Sequence, residues 1–335
     1  MNMFRKILMP LVPLYYGIMW FRNFCFDNKL LESRSYNFPV ICVGNLNVGG
    51  TGKTPMIEYL IRLLENKYEV TTLSRGYGRR TKGFIIADKN ATPQLIGDEP
   101  YQFYQKFPNI LVTVGEDRRD AIESLIKEKR APKLLLLDDA FQHRQVYSSF
   151  KILLTSYDNL YVDDVLLPVG NLRESKSGSK RADIIVVTKC PKEISEQSRN
   201  SIKQKLSIQS HQQLFFSYIG YSKILLSKQK QINLKSLINI KFTLITGIAN
   251  PKSLVNYLSS EGLKFKHLVF RDHHDFKHSD FLRFRKEKLI ITTEKDYVKL
   301  ENKIDHDKLF YLPIQTKMIN SNNFNSAIQL FLTNF

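Results

Sequence analysis

The sequence predicts an α/β protein: a doubly wound, mostly parallel sheet, preceded by an apolar N-terminal helix and followed by a second, smaller α/β unit. Three observations predict it. From residue 40 onward, short apolar runs alternate with segments whose apolar residues recur at helical spacing. The run Val40–Val43 breaks into a glycine-rich turn that leads into Lys53-Thr54-Pro55. A second fully apolar run, Leu134–Leu137, ends in the paired carboxylates Asp138 and Asp139. In a parallel sheet both features arrive at the carboxyl edge, where ligands bind.

The stretch Pro39–Thr54 carries the chemistry. Gly44, Gly49, Gly50 and Gly52 let backbone N–H groups converge on oxygen atoms with no Cβ in the way. Pro55 suits the first turn of a helix, whose N-terminus adds partial positive charge. This is the P-loop NTPase-like arrangement. Asn47, Val48, Gly49, Gly50, Thr51, Gly52, Lys53 and Thr54 are the nucleotide-binding candidates, with Lys53 reaching the β- and γ-phosphates and Thr54 holding Mg²⁺. The strict pattern has glycine where Asn47 stands, and asparagine tolerates left-handed backbone angles better than most residues. A glycine turn with a chance Lys-Thr is the bland alternative; the strand before it and the helix start after it argue against that.

At 335 residues with 43% hydrophobic content, the chain can bury a large core and form two domains. Three scattered cysteines, without CxxC spacing, argue for a reducing compartment and against a disulfide framework or zinc site. A formal net charge of +18 implies an anionic partner: nucleic acid, an acidic membrane surface or a phosphorylated substrate.

Near the N-terminus, Ile7–Phe21 is uncharged and mostly apolar, flanked by Arg5, Lys6 and Arg22. It falls short of the about 20 apolar residues a spanning helix needs, and Pro10, Pro13 and Gly17 interrupt it. Bulky residues follow it, unlike a signal-peptide cleavage site. A membrane-associated helix, lying in the interface or dipping into one leaflet, is expected, with Tyr15, Tyr16 and Trp20 near headgroup depth and Arg5, Lys6, Arg22 and Lys29 toward anionic lipid. The alternative is a helix packed on the protein's own core.

Beyond the glycine loop, Ile57, Leu60, Ile61 and Leu64 mark a helix, and strands are expected at Glu69–Ser74 and Ile110–Val114. The first ends in Arg75-Gly-Tyr-Gly-Arg-Arg80, basic residues among glycines that suit an anion. Arg118 and Arg119 open a helix. An aspartate at the end of the Leu134 strand can hold Mg²⁺ directly or through water, and Gln142 and His143 follow it. Strands recur at Phe150–Thr155 and Asp183–Thr188, separated by a long polar and basic loop that includes Arg173 and Glu174. Leu214–Ile219 and Lys223–Leu226 suggest a hairpin or linker. A second α/β unit follows: strand Phe242–Thr246, helix Lys252–Ser260, strands Lys264–Phe270 and Leu289–Thr293, and a C-terminal helix on Phe324, Ile328 and Phe331.

The cluster Asp272, His273, His274, Asp275 and His278 is too crowded for a well-spaced metal site. There is no G-x-S-x-G for acyl transfer. Thr188-Lys-Cys-Pro191 lacks the aspartate of a guanine-binding motif, so ATP is expected. No interleaved aromatic and basic motif supports nucleic acid as partner, and none is expected. A P-loop ATPase on nucleic acid and a membrane-docked nucleotide-binding module remain the competing readings.

Eight segments in order resemble the tetraacyldisaccharide 4′-kinases, the lipid A 4′-kinases of Gram-negative bacteria. They are Val43–Pro55, Leu73–Arg79, Gly97–Pro100, Asp138–Arg144, Pro168–Glu174, Gly247–Pro251, Asp272-His273 and Thr292–Asp296. Ala140, Asn171 and Asn47 depart from the usual pattern without removing a charged or nucleophilic group. The resemblance implies a membrane-bound kinase that moves the γ-phosphate of ATP to the 4′-hydroxyl of a lipid A disaccharide 1-phosphate, at the cytoplasmic face of the inner membrane. It implies Asp98 as base and His273 as the group that orients it. Lys53 would hold the β- and γ-phosphates, and Arg118 and Arg173 would stabilise equatorial oxygens or the acceptor's 1-phosphate. Thr54 and Asp138, with Asp139 or Glu99 nearby, would hold Mg²⁺; Arg75, Gln142 and His143 would contact the acceptor, and Glu174 the sugar or the metal. The implied divisions are 1–35 for the membrane-associated helix, 36–210 for the kinase domain, 211–230 for a two-stranded linker and 231–335 for a smaller domain that closes over the site.

Overall fold

The computed structural model describes residues 3–272 and 274–335. In chain order the strands are β1 (Val40–Asn45), β2 (Val70–Ser74), β3 (Ile85–Ile86), β4 (Leu111–Val114), β5 (Leu134–Asp138), β6 (Phe150–Ser156), β7 (Ile184–Thr188), β8 (Gln213–Tyr221), β9 (Ile224–Leu226), β10 (Gln231–Asn233), β11 (Phe242–Thr246), β12 (Phe265–Val269), β13 (Ile290–Thr293), β14 (Leu309–Leu312) and β15 (Ile314–Ile319). The helices are α1 (Val12–Asp27), α2 (Lys53–Leu64), α3 (Pro93–Ile96), α4 (Asp98–Lys106), α5 (Arg118–Lys127), α6 (Glu196–Leu206), α7 (Lys252–Ser260), α8 (His278–Phe284), α9 (Glu294–Leu300) and α10 (Ser321–Thr333).

Among the described residues the strands form two sheets. The first is nine-stranded, in the order β15-β8-β7-β6-β1-β5-β2-β4-β3. It is parallel except at its edges, where β3 and β15 run antiparallel. Every residue of β1, β5 and β7 is buried, as a sheet covered on both faces requires. Alternate side chains feed two cores. Ile41, Val43, Leu134 and Leu136 pack against Met56, Leu60 and Leu64 of α2 on one face. Val40, Cys42, Leu135 and Leu137 pack with Ile122 of α5 and Ile202 of α6 on the other. The chain turns to one side of β1 to make β2 and to the other to make β6. β1 and its neighbour β5 thus flank the point where strand order reverses, and their carboxyl ends frame a crevice.

The second sheet has the order β10-β9-β14-β13-β11-β12, with α7 on one side and α8 and α9 on the other. Two segments lie elsewhere than the sequence suggests. Leu214–Ile219, expected in a linker, belongs to β8 and pairs in parallel with β7 in the first sheet. The last stretch, expected in the smaller unit, returns to the first sheet: β15 pairs with β8, and Phe324 and Ile328 of α10 join the core under α2. Apolar alternation marks a strand without naming its neighbour, so the pattern carried no sign of this return. The second sheet is therefore an excursion from the first. It leaves after β8 and comes back before β15, and the two crossing points are tied by Ser222 N–H to the Pro313 carbonyl at 3.0 Å.

Candidate active site

β1 ends at Asn45 and the chain wraps over the N-terminus of α2. Gly44 is there because β1 runs against the segment after β5: a Cβ on Gly44 would stand 2.6 Å from the Phe141 Cβ. Gly52 caps α2 at φ 87°, the left-handed region glycine enters freely, and no side chain caps that helix end. The first amides of α2 are left for a ligand. Asn47 does not adopt the positive φ its type allows. Its amide instead donates to Asp164 Oδ2 at 2.9 Å, while Gly49 (φ 113°) and Gly52 make the turns. The loop is braced from inside by Asn45 Nδ2 on Thr51 Oγ1 at 2.8 Å and by Thr188 Oγ1 on the Thr51 carbonyl at 2.7 Å.

Lys53 Nζ lies 3.4 Å from Asn45 Oδ1 and 3.6 Å from Asp139 Oδ2. Asp139 is also gripped by Arg173, at 2.7 and 3.2 Å. Burial alone would raise the Asp139 pKa, but Lys53 and Arg173 outweigh it and hold the carboxyl below its ordinary range. Asp138 is the opposite case. It is buried, its Oδ1 has no hydrogen-bond partner among the described residues, and burial followed by the charge of Asp139 pushes its pKa up to about 7. An anion left short of positive charge in the crevice is what an added cation would relieve. Glu99 contributes to the same field.

The second unit leans over this edge. Lys299 Nζ of α9 sits 2.7 Å from Asp98 Oδ2, and Lys295 Nζ sits 3.2 Å from Glu99 Oε1 and 3.3 Å from Asp272 Oδ1. His273 lies outside the described residues. On the far side, α1 docks by its polar groups. Tyr15 donates to the Arg173 carbonyl at 2.7 Å, Arg22 to the Gln142 carbonyl at 2.7 Å and Asn23 to Glu174 at 3.3 Å. Its apolar residues Leu14, Ile18, Trp20 and Phe21 stay exposed.

A family model described as Tetraacyldisaccharide-1-P 4'-kinase matches residues 4–333. The chain belongs to this family. A tetraacyldisaccharide 4'-kinase of Flavobacterium johnsoniae is 49% identical over 99% of this chain and 98% of its own. One from Bacteroides thetaiotaomicron is 42% identical over 88% of this chain and 83% of its own. The crystal structure of LpxK from Aquifex aeolicus, in complex with ATP, superposes with a TM-score of 0.78 at 29% identity, covering 98% of this chain and all of that one. The chain is thus a tetraacyldisaccharide 4′-kinase, a phosphotransferase of lipid A biosynthesis.

Within this kinase the sequence-selected residues separate into two groups. Lys53, Thr54, Asp138, Asp139 and Arg173 converge at the carboxyl ends of β1 and β5. Asp98 and Glu99 open α4 beside them. Four others are turned inward. Arg118, expected to face phosphoryl oxygens, is only 3% exposed, and its guanidinium donates to the carbonyls of Gly115, Glu116 and Asp138. It is a strut under Asp138. Glu174 is fully buried and paired with Arg181 at 2.9 Å. Gln142 spans Glu174 Oε1 and the Asn45 carbonyl. His143 accepts from the Arg118 amide at 3.3 Å, and burial, then Arg118, lowers its pKa to about 4, so it is neutral at pH 7. Arg75 is exposed at the end of β2. Arg5, in the turn before α1, and Arg22 of α1, both expected toward lipid, instead donate to Asn171 and to the Gln142 carbonyl in the loops beneath. Among the described residues no three His, Cys, Asp or Glu side chains converge as a metal cage. Sequence reasoning missed Asn45, Lys295 and Lys299; the only signal was that the last two lie in or beside the Thr292–Asp296 segment.

Proposed function

We propose that the kinase binds ATP on the loop 47–54 and transfers its γ-phosphate to the 4′-hydroxyl of a tetraacyldisaccharide 1-phosphate. The observation that carries this is the uncapped N-terminus of α2 beside Lys53, together with a buried Asp138 oxygen that has no hydrogen-bond partner among the described residues. The ATP-bound Aquifex relative supports the choice of nucleotide. Thr54 and Asp138 would hold a Mg²⁺, a fit argued from that orphan oxygen and from an all-oxygen donor set. Bound there, the ion would supply positive charge to offset that of the nucleotide's phosphates. Asp139 and Glu99 are less available to it, being paired with Lys53, Arg173 and Lys295.

Phosphoryl transfer passes through a loose transition state, so the protein's work is alignment and neutralisation of charge. Lys53 and the loop amides would grip the β- and γ-phosphates, and Arg173 would hold Asp139 and Lys53 in register. Asp98 would align the acceptor hydroxyl and take its proton late, with His273 orienting it. Closure of the second unit on its paired crossings would exclude water. The test is Asp98→Ala and His273→Ala: each is expected to lose acceptor-dependent turnover with ATP binding intact, and near-normal turnover in both would remove the dyad.

The acyl chains hold the acceptor in the bilayer at about 0.8 kcal/mol per buried CH₂. The enzyme must therefore reach the membrane. Among the described residues no helix is long and apolar enough to cross one. The exposed apolar side of α1 supports docking in the interface, on the anionic cytoplasmic face of the inner membrane, with the +18 charge adding attraction.

A further inference from the structure

The segment Thr292–Asp296 has no part in the mechanism above, yet it opens α9, the helix that meets the site. Asp296 is fully buried and accepts from the Gly247 amide at 2.7 Å, fixing the turn Gly247–Pro251. Ala249 of that turn faces Gly50 of the nucleotide loop: a Cβ on Gly50 would come 4.0 Å from the Ala249 Cβ. The adjoining face of α9 presents Lys295 and Lys299, one helical turn apart. Lys299 Nζ joins Asp98 Oδ2 at 2.7 Å to the His274 carbonyl at 3.2 Å. Lys295 Nζ joins Glu99 Oε1 at 3.2 Å to Asp272 Oδ1 at 3.3 Å. Each ammonium therefore ties one acid of α4 to a residue flanking position 273. A third pair, Lys106 with Glu294 at 2.6 Å, joins the C-terminal end of α4 to the N-terminal end of α9.

We propose that Lys299, seconded by Lys295, is a positioning residue for phosphoryl transfer: it sets the Asp98 carboxylate against the turn of the second unit that carries His273. This rests on Asp98 being the base. Both lysines are largely buried in the interface, at 14% and 20% side-chain exposure, so their charges are weakly screened. Methionine in place of Lys299 keeps the packing and removes the ammonium held against Asp98. Arginine keeps the charge.

The full-length protein is assayed with ATP and a lipid A disaccharide 1-phosphate in detergent, and its melting temperature is recorded beside each variant. Lys299→Met is expected to lower acceptor-dependent kcat roughly ten- to hundredfold, the scale of a misplaced catalytic group. The KM for ATP should stay within about twofold, because the nucleotide grip is untouched. Lys299→Arg should recover most of the rate. On an Asp98→Asn background Lys299→Met should cost nothing further, since it acts through that carboxylate. If Lys299→Met fails to fold, Lys299→Gln is read by the same split. Unaltered kcat in a folded Lys299→Met, with Asp98→Asn inactive, overturns the inference and leaves the base assignment standing. Full activity in Asp98→Asn overturns the base assignment and this inference with it.

Discussion

At the scale of single residues, neighbouring carboxylates and bases are pulled in opposite directions. Lys53 and Arg173 keep Asp139 ionised, while burial and Asp139 itself raise Asp138. Lys53→Met should remove one of the two cations on Asp139 and the proposed grip on the β- and γ-phosphates. A fall in kcat/KM of roughly a hundredfold or more is expected in the lipid-acceptor assay. His143 makes a different prediction. Its folded pKa of about 4 lies below the 6.5 of an exposed imidazole. Between those values the unfolded chain binds the extra proton, so this group's contribution is present above pH 6.5 and is lost as pH falls toward 4. Urea unfolding across that window should show less acid sensitivity in His143→Gln than in the unaltered protein, by on the order of 2 kcal/mol.

At the scale of elements, the contact between α4 and α9 rests on few groups. Lys106 reaches Glu58 of α2 at 2.8 Å and Glu294 of α9 at 2.6 Å, and Glu58 is only 1% exposed. Lys106→Met would take the α4 cation from Glu294, while Glu58 keeps Arg62 at 2.7 Å and the Gln102 amide at 2.7 Å. A loss of about 1–3 kcal/mol is expected, read as a lower midpoint in denaturant. The elements themselves were mostly legible. β11 and α7 fall on the residues that their apolar pattern marked, Phe242–Thr246 and Lys252–Ser260, because each buries a simple face. The phosphate loop was legible because its glycines and Lys-Thr are local requirements of one turn. The inward pairing of Arg118, Gln142 and Glu174 was not, since a charged residue near a strand end looks the same in sequence whether it faces ligand or a buried partner. Nor was the pairing of Lys299 with Asp98, which depends on a helix almost two hundred residues away along the chain meeting α4. The return of β15 to the first sheet escaped for the same reason: pairing across distant segments leaves no periodic trace.

At the scale of the whole molecule, α1 joins site and surface. Its polar groups hold the loops around Arg173 and Glu174, so removing it would disturb more than docking. Ile18, Trp20 and Phe21 are 59%, 54% and 61% exposed and can be changed without touching those bonds. Replacing all three by serine should weaken binding to vesicles containing anionic lipid at least tenfold, given about 1.5–3 kcal/mol for burying each such side chain. Turnover of acceptor in detergent should change little. Equal vesicle binding would mean that α1 serves only the fold. The sequence foresaw an apolar N-terminal helix; that the same helix also braces the site is visible only in three dimensions.

The most direct measurement follows the phosphorus atom. ATP labelled at the γ-position is incubated with Mg²⁺, the full-length protein and a lipid A disaccharide 1-phosphate in detergent, and the lipid is then extracted. Label on the 4′-oxygen of the sugar, lost on Lys53→Met and on Asp98→Ala, is the predicted result. Label released only as inorganic phosphate at a rate indifferent to the lipid would contradict the account.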